Sequence, residues 1–210
     1  MEQNSNLSTE ALKVRVCTVV LVVMTAACFF IPDLFFPRTL VAKMELAGSL
    51  SWQQVIGEGE CYRLITYLFL HANVEHIANN MLVLALTGDI LERSIGHIKF
   101  ILVYFISGVL AGLTSILYNM SIGAHVSSVG ASGAVFGVVG AVAMFLALSK
   151  GRMRDMNIKK LVVFVAISIY GGITTQGTDN AAHIGGLIAG ALTALVMYGF
   201  DLLLQHIKRS

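Results

Sequence analysis

The chain has 210 residues, of which 56% are hydrophobic and only 12% charged, with a formal net charge of +2 and a mean hydropathy of +0.79. A soluble domain of this size carries about twice that charge on its surface. The same arithmetic excludes disorder, collagen-like repeats and nucleic-acid binding, and leaves a polytopic membrane protein of the all-α class.

A helix crossing the bilayer needs about 20 mostly apolar residues. Lys13 and Arg15 precede a first such run, Val16 to Pro32. No small-residue cleavage site follows, so it reads as a retained helix rather than a signal peptide. The stretch from Pro32 to Glu75 is too long for a simple connector. It mixes Trp52, Tyr62 and Tyr67 with short apolar runs, the pattern of a loop lying in the outer membrane surface.

A weaker apolar stretch from Ile77 to Ile90 carries Asn79, Asn80 and Asp89. Phe100 to Ser149 contains no Asp, Glu, Lys or Arg, and is too long for one helix. The turn-forming residues from Asn119 to Ser128 divide it. Two further runs, Leu161 to Thr178 and Asn180 to Phe200, are split by Gly177, Asp179 and Asn180. The prediction is six spans, at about 14–32, 74–91, 98–118, 130–149, 159–175 and 181–203. Short tails, 1–13 and 205–210, flank them.

With six spans, both termini share one side of the membrane. Lys13, Arg15, Arg93, Lys99, Lys150, Arg152, Arg154, Lys159, Lys160, Lys208 and Arg209 fall on that side, and Arg38, Lys43 and Arg63 on the other. The positive-inside rule makes the termini cytoplasmic, and the short tails suggest a prokaryotic cell membrane. Spans 2, 4 and 6 then all begin at the outer face. Cys17, Cys28 and Cys61 have no framework spacing and read as buried structural thiols. No internal repeat of the transporter kind is visible.

Polar residues at membrane depth are costly and are candidates for function. Three groups fall at the outer ends of spans 2, 4 and 6. In the first, Gly130-Ala-Ser132-Gly133, the serine sits at a helix N-terminus. Unpaired amides and a partial positive charge there would stabilise an oxyanion. The plain alternative is packing, because Gly133 and Gly137 form a GxxxG face. In the second, His183 precedes Gly186 and Gly190, another GxxxG pair. Packing of the two small faces would bring a nucleophile and a base to similar depth; the alternative is a satisfied structural histidine. In the third, His71-Ala-Asn-Val-Glu-His76-Ile-Ala-Asn-Asn80, His76 and Asn80 stack at i and i+4. Their N–H groups suit the side-chain part of an oxyanion hole. H-E-x-x-H and its inverse are absent and no acidic or cysteine ligand completes a set, so no metal is expected.

These motifs together resemble the rhomboid intramembrane serine proteases, over about Val14 to Phe200. Gly130-Ala-Ser132-Gly133 matches the family's G-x-S-G. His183 with Gly186 and Gly190 matches its sixth helix, and His71-x4-His76-x3-Asn80 its H-x4-H-x3-N. Glu60-Cys-Tyr62-Arg63 looks like the family's first-loop patch, and Glu92 to Gly96 like its E-x-x-x-G. The resemblance implies a six-helix bundle with a membrane-associated first outer loop. It implies a Ser132–His183 dyad, with the Ser132 amide, His76 and Asn80 holding the oxyanion. Glu60 and Arg63 would anchor the loop, and His71 would bridge loop and helix. Single-span membrane proteins within the lipid bilayer would be the substrates; no cofactor is implied, and oligomeric state is left open.

Two positions depart from the family's pattern: Tyr62 stands where Trp is usual, and Phe136 where many relatives have a Tyr packed on the catalytic histidine. Neither removes a group from the dyad. Two other readings compete, a non-catalytic rhomboid-like protein that binds client helices and a small transporter. Retention of both Ser132 and His183 weighs against the first. The missing repeats and the lack of charge deep in spans 3 to 6 weigh against the second.

Overall fold

The computed structural model describes residues 15–149 and 178–208 together with Lys159, Val163 and Ala166. Six longer helices organise these residues: α1 (Val16–Phe35), α2 (Arg38–Gly48), α3 (Val74–Ile95), α4 (His97–Ser121), α5 (Ser132–Leu148) and α6 (Asn180–Ile207). Between α2 and α3 lie a π-turn, Gln53–Gly57, a helical turn, Arg63–Thr66, and a 3-10 turn, Tyr67–Phe69. Among the described residues there is no strand, only an isolated antiparallel bridge between Leu50 and Ser128. Apart from Lys159, Val163 and Ala166, the fifth predicted span lies outside the described residues.

Several helices extend past the ends of the apolar runs in the sequence. Pro32 does not end α1, which continues to Phe35; proline is tolerated inside membrane-spanning helices. Among the described residues three helices, α1, α4 and α6, are long and apolar enough to cross a membrane, and α5 is a shorter apolar helix of 17 residues. The polar content of α3, including Glu75, Asp89, Glu92 and Arg93, sets it apart. Large apolar side chains face outward along α1, α3, α4 and α6. On α6, Ile184, Ile188, Leu192 and Val196 form an exposed stripe at helical spacing. Water would penalise such a stripe, and acyl chains accept it.

At the centre stands α5. Ala134, Val138, Val139, Ala141 and Val142 are fully enclosed, as expected of a helix that is apolar on every side. It packs on α6 through glycine. A Cβ on Gly186 would lie 2.0 Å from the Gly133 carbonyl oxygen, and one on Gly190 would lie 1.9 Å from that of Gly137. The matched order of these pairs makes α5 and α6 parallel. On the α4 side, a Cβ on Gly133 would meet Ala111 and one on Gly137 would meet Ser107, so α4 is antiparallel to both. Gly96, at φ +86°, turns α3 directly into α4. Consequently α3, α5 and α6 begin at the same end of the bundle.

The opposite end is tied by charge. Glu92, almost wholly buried, accepts the Cys17 N–H at 2.9 Å, the Thr18 N–H at 2.8 Å and the Thr18 hydroxyl at 2.6 Å. A carboxylate from α3 thus caps the N-terminus of α1, whose first amides have no carbonyl of their own. Lys99 at the start of α4 pairs with Asp201 near the end of α6, and Asp89 holds both Arg15 and Arg93. One expectation is corrected here: Cys28 and Cys61 are exposed and Cys17 is half-buried. Cys28 lies on the outward face of α1 and Cys61 in the first loop, where neither helps to fill a core.

Candidate active site

The first loop sets one wall of the site. Arg63, 6% exposed, donates to the Leu46 carbonyl at 2.8 Å and the Ser49 carbonyl at 2.7 Å, and pairs with Glu60 at 2.6 Å. The guanidinium therefore satisfies carbonyls at the C-terminal end of α2, where helix polarity favours a cation. The Tyr62 hydroxyl donates to Ala47, and Thr66 to Gly48. Further along, the Tyr67 carbonyl accepts the Gly130 N–H at 2.9 Å, while the Tyr67 hydroxyl donates to the Gly108 carbonyl at 2.7 Å. On the far side of the site, Trp52 Nε1 donates to the Ala124 carbonyl. The loop is fixed to the segment that carries Ser132.

Ser132 is the first residue of α5 and is half-buried. Gly130, at φ +130°, makes the turn into the helix and lies directly against α3. A Cβ there would come within 2.7 Å of His76 Cε1, 2.9 Å of His76 Nε2 and 3.8 Å of Asn80 Nδ2. Only glycine permits both this backbone and this approach. Asn73 caps α3 by accepting the His76 N–H at 2.8 Å, so His76 is held in the first turn with Asn80 one turn further in. Asn80 is 6% exposed, and its Nδ2, like His76 Nδ1, has no hydrogen-bond partner among the described residues. Buried polar atoms without a partner are rare. Of these two, Asn80 Nδ2 faces the turn that precedes Ser132, as does the Nε2 edge of the His76 ring.

His183 is the fourth residue of α6. Its ring stacks on Phe136, with 4.3 Å between centroids and 14° between planes. Phe136 stands one turn beyond Ser132 on the same face of α5. The close glycine contacts of α5 with α6 make this possible, since Gly133 and Gly186 leave nothing between the two backbones. His71, 3% exposed, lies behind His76 with its ring 5.0 Å away, and its Nε2 accepts the Ala131 N–H at 3.4 Å. Burial, and His76 beside it, pull the His71 imidazole down to about 3. Neutral, it remains an acceptor for the amide preceding Ser132.

The residues considered for the site lie in two connected places, whereas Glu92 and Gly96 stand at the other end of the bundle. Ser132, His183, Phe136, His76, Asn80, His71, Gly130, Gly133, Gly186 and Gly190 surround the start of α5, while Glu60 and Arg63 hold the loop above it. In the sequence Asp179 stood only as a break between two apolar runs and Tyr67 only as a loop aromatic, and Ser115 and Ser128 were not assigned to the site. Asp179 caps α6, accepting the Ala182 N–H at 3.0 Å, and also accepts the hydroxyls of Ser115 and Ser128. An Asp immediately before an apolar helical run is an N-cap signal, and it was the available clue. Cys17, Glu92 and His97 are a cluster of metal-ligating types among the described residues. It lies at the opposite end of the bundle, and its carboxylate is occupied in capping α1.

The description "Rhomboid domain" fits residues 58–200 of the chain. The chain is 35% identical over 161 residues to "Rhomboid protease GluP" of Bacillus subtilis (strain 168), covering 76% of this chain and 30% of that protein. It is 37% identical over 166 residues to "RHOMBOID-like protein 6, mitochondrial" of Arabidopsis thaliana, covering 77% and 50%. Against "Rhomboid protease AarA" of Providencia stuartii it is 30% identical over 201 residues, covering 85% and 71%. The chain spans half the length, or less, of the first two. With its outward apolar helices and its glycine-packed core, the chain is an integral membrane protein and belongs to the rhomboid family.

Proposed function

We propose that this rhomboid is an intramembrane serine endopeptidase whose nucleophile is Ser132 and whose base is His183. The observation that supports it most is the convergence at the start of α5. Phe136, one turn beyond Ser132 on α5, stacks on His183, and Gly130 in the turn before Ser132 lies against His76 and Asn80. The relatives named rhomboid proteases point the same way.

In this reading His183 takes the proton of the Ser132 hydroxyl as its oxygen attacks a peptide carbonyl. The Ser132 N–H, at a helix N-terminus, and the side chains of His76 and Asn80 hold the oxyanion. Collapse expels the amine, which leaves with the proton from His183, and an acyl-enzyme remains. Water attacks the ester, again through His183, and releases the acid. Substrates are transmembrane segments of single-span proteins, cut near the outer face. The enzyme has six spans, with both termini cytoplasmic.

Labelling with a fluorophosphonate tests this. The expected result is modification of the wild type and of the surface variant Lys208→Ala, but not of Ser132→Ala or His183→Ala. No labelling of a folded wild-type sample would overturn the proposal and leave a client-binding rhomboid. Incubation with single-span peptides, followed by mass mapping of the products, then gives the cleavage site.

A further inference from the structure

Asp179 lies four residues before His183, and Ser128 lies four residues before Ser132. The two are bonded. The Ser128 hydroxyl donates to Asp179 Oδ2 at 2.6 Å, and Ser115 from the C-terminal part of α4 donates to the same oxygen. The other oxygen accepts the Ala182 N–H at 3.0 Å. Ser115 is itself held, accepting from Asn119 Nδ2 at 3.2 Å. Ser128 is held through its backbone, exchanging both bonds with Leu50 at 2.8 and 2.9 Å. One carboxylate therefore joins three pieces of chain: the helix carrying the base, the segment leading to the nucleophile, and α4.

We propose that Asp179 is a positioning residue that fixes the start of α6 against the segment leading into α5, and so sets His183 relative to Ser132. The proposal rests on the protease reading above. Its hydrogen-bonding capacity is directed to the Ala182 amide and two serine hydroxyls, so it acts by geometry rather than as a third member of a charge-stabilised triad. A misplacement of about 1 Å costs an active site on the order of 100-fold, which gives a carboxylate clamp at this position a large effect without touching substrate.

The test compares Asp179→Ala and Asp179→Asn in the full-length protein in detergent. The readouts are kcat and KM on a transmembrane peptide, fluorophosphonate labelling of Ser132, and amide hydrogen exchange. Asn keeps the acceptor for the Ala182 N–H and places an NH2 against hydroxyls that accept as well as donate. Asp179→Ala is expected to lower kcat by roughly 10–100-fold with KM little changed, and to speed exchange in both 124–133 and 178–186. Asp179→Asn is expected to restore kcat to within about threefold, because the geometry survives.

Three results would overturn the proposal. The first is an Asn variant as impaired as the Ala variant, since loss of a triad carboxylate's charge costs on the order of 10⁴-fold. The second is an Ala variant of normal activity. The third is faster exchange confined to 178–186, which marks a cap serving only its own helix. Failure of the protease reading is separable. It is read from the wild type against Ser132→Ala, while the exchange data judge the clamp whether or not the protein labels.

Discussion

The Phe136 ring lies nearly parallel to the His183 imidazole, with 4.3 Å between centroids. Because Phe136 is one turn along α5 from Ser132, the contact sets the rotation of the histidine relative to the serine's own helix. An aromatic pair of this kind contributes about 0.5–1.5 kcal/mol beyond its buried area. Phe136→Leu is expected to lower kcat by roughly 3–10-fold, and Phe136→Tyr, which keeps the stack, to stay within about twofold of wild type. Initial rates on a transmembrane peptide check this. Equal rates for Leu and Phe would show that the stack does not orient the base.

The same pairing of helices makes a second prediction. Gly190 presents its Cα to the Gly137 carbonyl so closely that an added Cβ would lie 1.9 Å from the oxygen. The obstructing atom is backbone, so the helices must separate. Gly190→Ala is expected to cost about 1–3 kcal/mol as an overpacked contact. Gly199, further along the same helix, has nothing within 4 Å of its missing Cβ. Gly199→Ala is expected to leave stability unchanged or raise it by about 0.5–1 kcal/mol. Thermal unfolding in detergent, on the two variants side by side, separates the contact from helix propensity.

Much of this was legible in the sequence for physical reasons. GxxxG spacing reports close helix contact directly, and Gly133, Gly137, Gly186 and Gly190 do meet. His76 and Asn80 share a face because the helical period is fixed. The 3.6-residue period says nothing, however, about which carboxylate reaches across the bundle, so the capping of α1 by Glu92 and the bonds from Asp179 to Ser115 and Ser128 were not visible. Each joins residues far apart in the chain. Cys28 and Cys61 were misread because composition gives depth, not the face of a helix or loop on which a side chain stands.

Asn80 offers a buried Nδ2 with no partner among the described residues. A group that serves only a transient oxyanion stabilises the transition state and not the fold. Asn80→Ala is expected to reduce kcat by about 100-fold while changing stability by less than about 1 kcal/mol, because no bond is broken in the resting protein. Kinetics and melting on the same sample check both halves. A large loss of stability with a matching loss of activity would assign Asn80 to packing.

His71 gives a prediction in pH. Its imidazole is pulled down to about 3 by burial and by His76, against about 6.5 in an unfolded chain. Between those values the unfolded state binds the proton and the folded state does not. The folded state's advantage from the neutral ring is therefore complete above about pH 6.5 and is lost progressively as the pH falls towards 3. From pH 6.5 to pH 5 the loss from this one group amounts to roughly 2 kcal/mol. His71→Gln does not titrate and keeps an acceptor for the Ala131 N–H. It is expected to show a shallower fall in unfolding free energy than wild type over that interval. Denaturation curves at pH 7, 6 and 5 for the two proteins measure the difference, and parallel pH profiles would mean that His71 is protonated as readily in the fold as outside it.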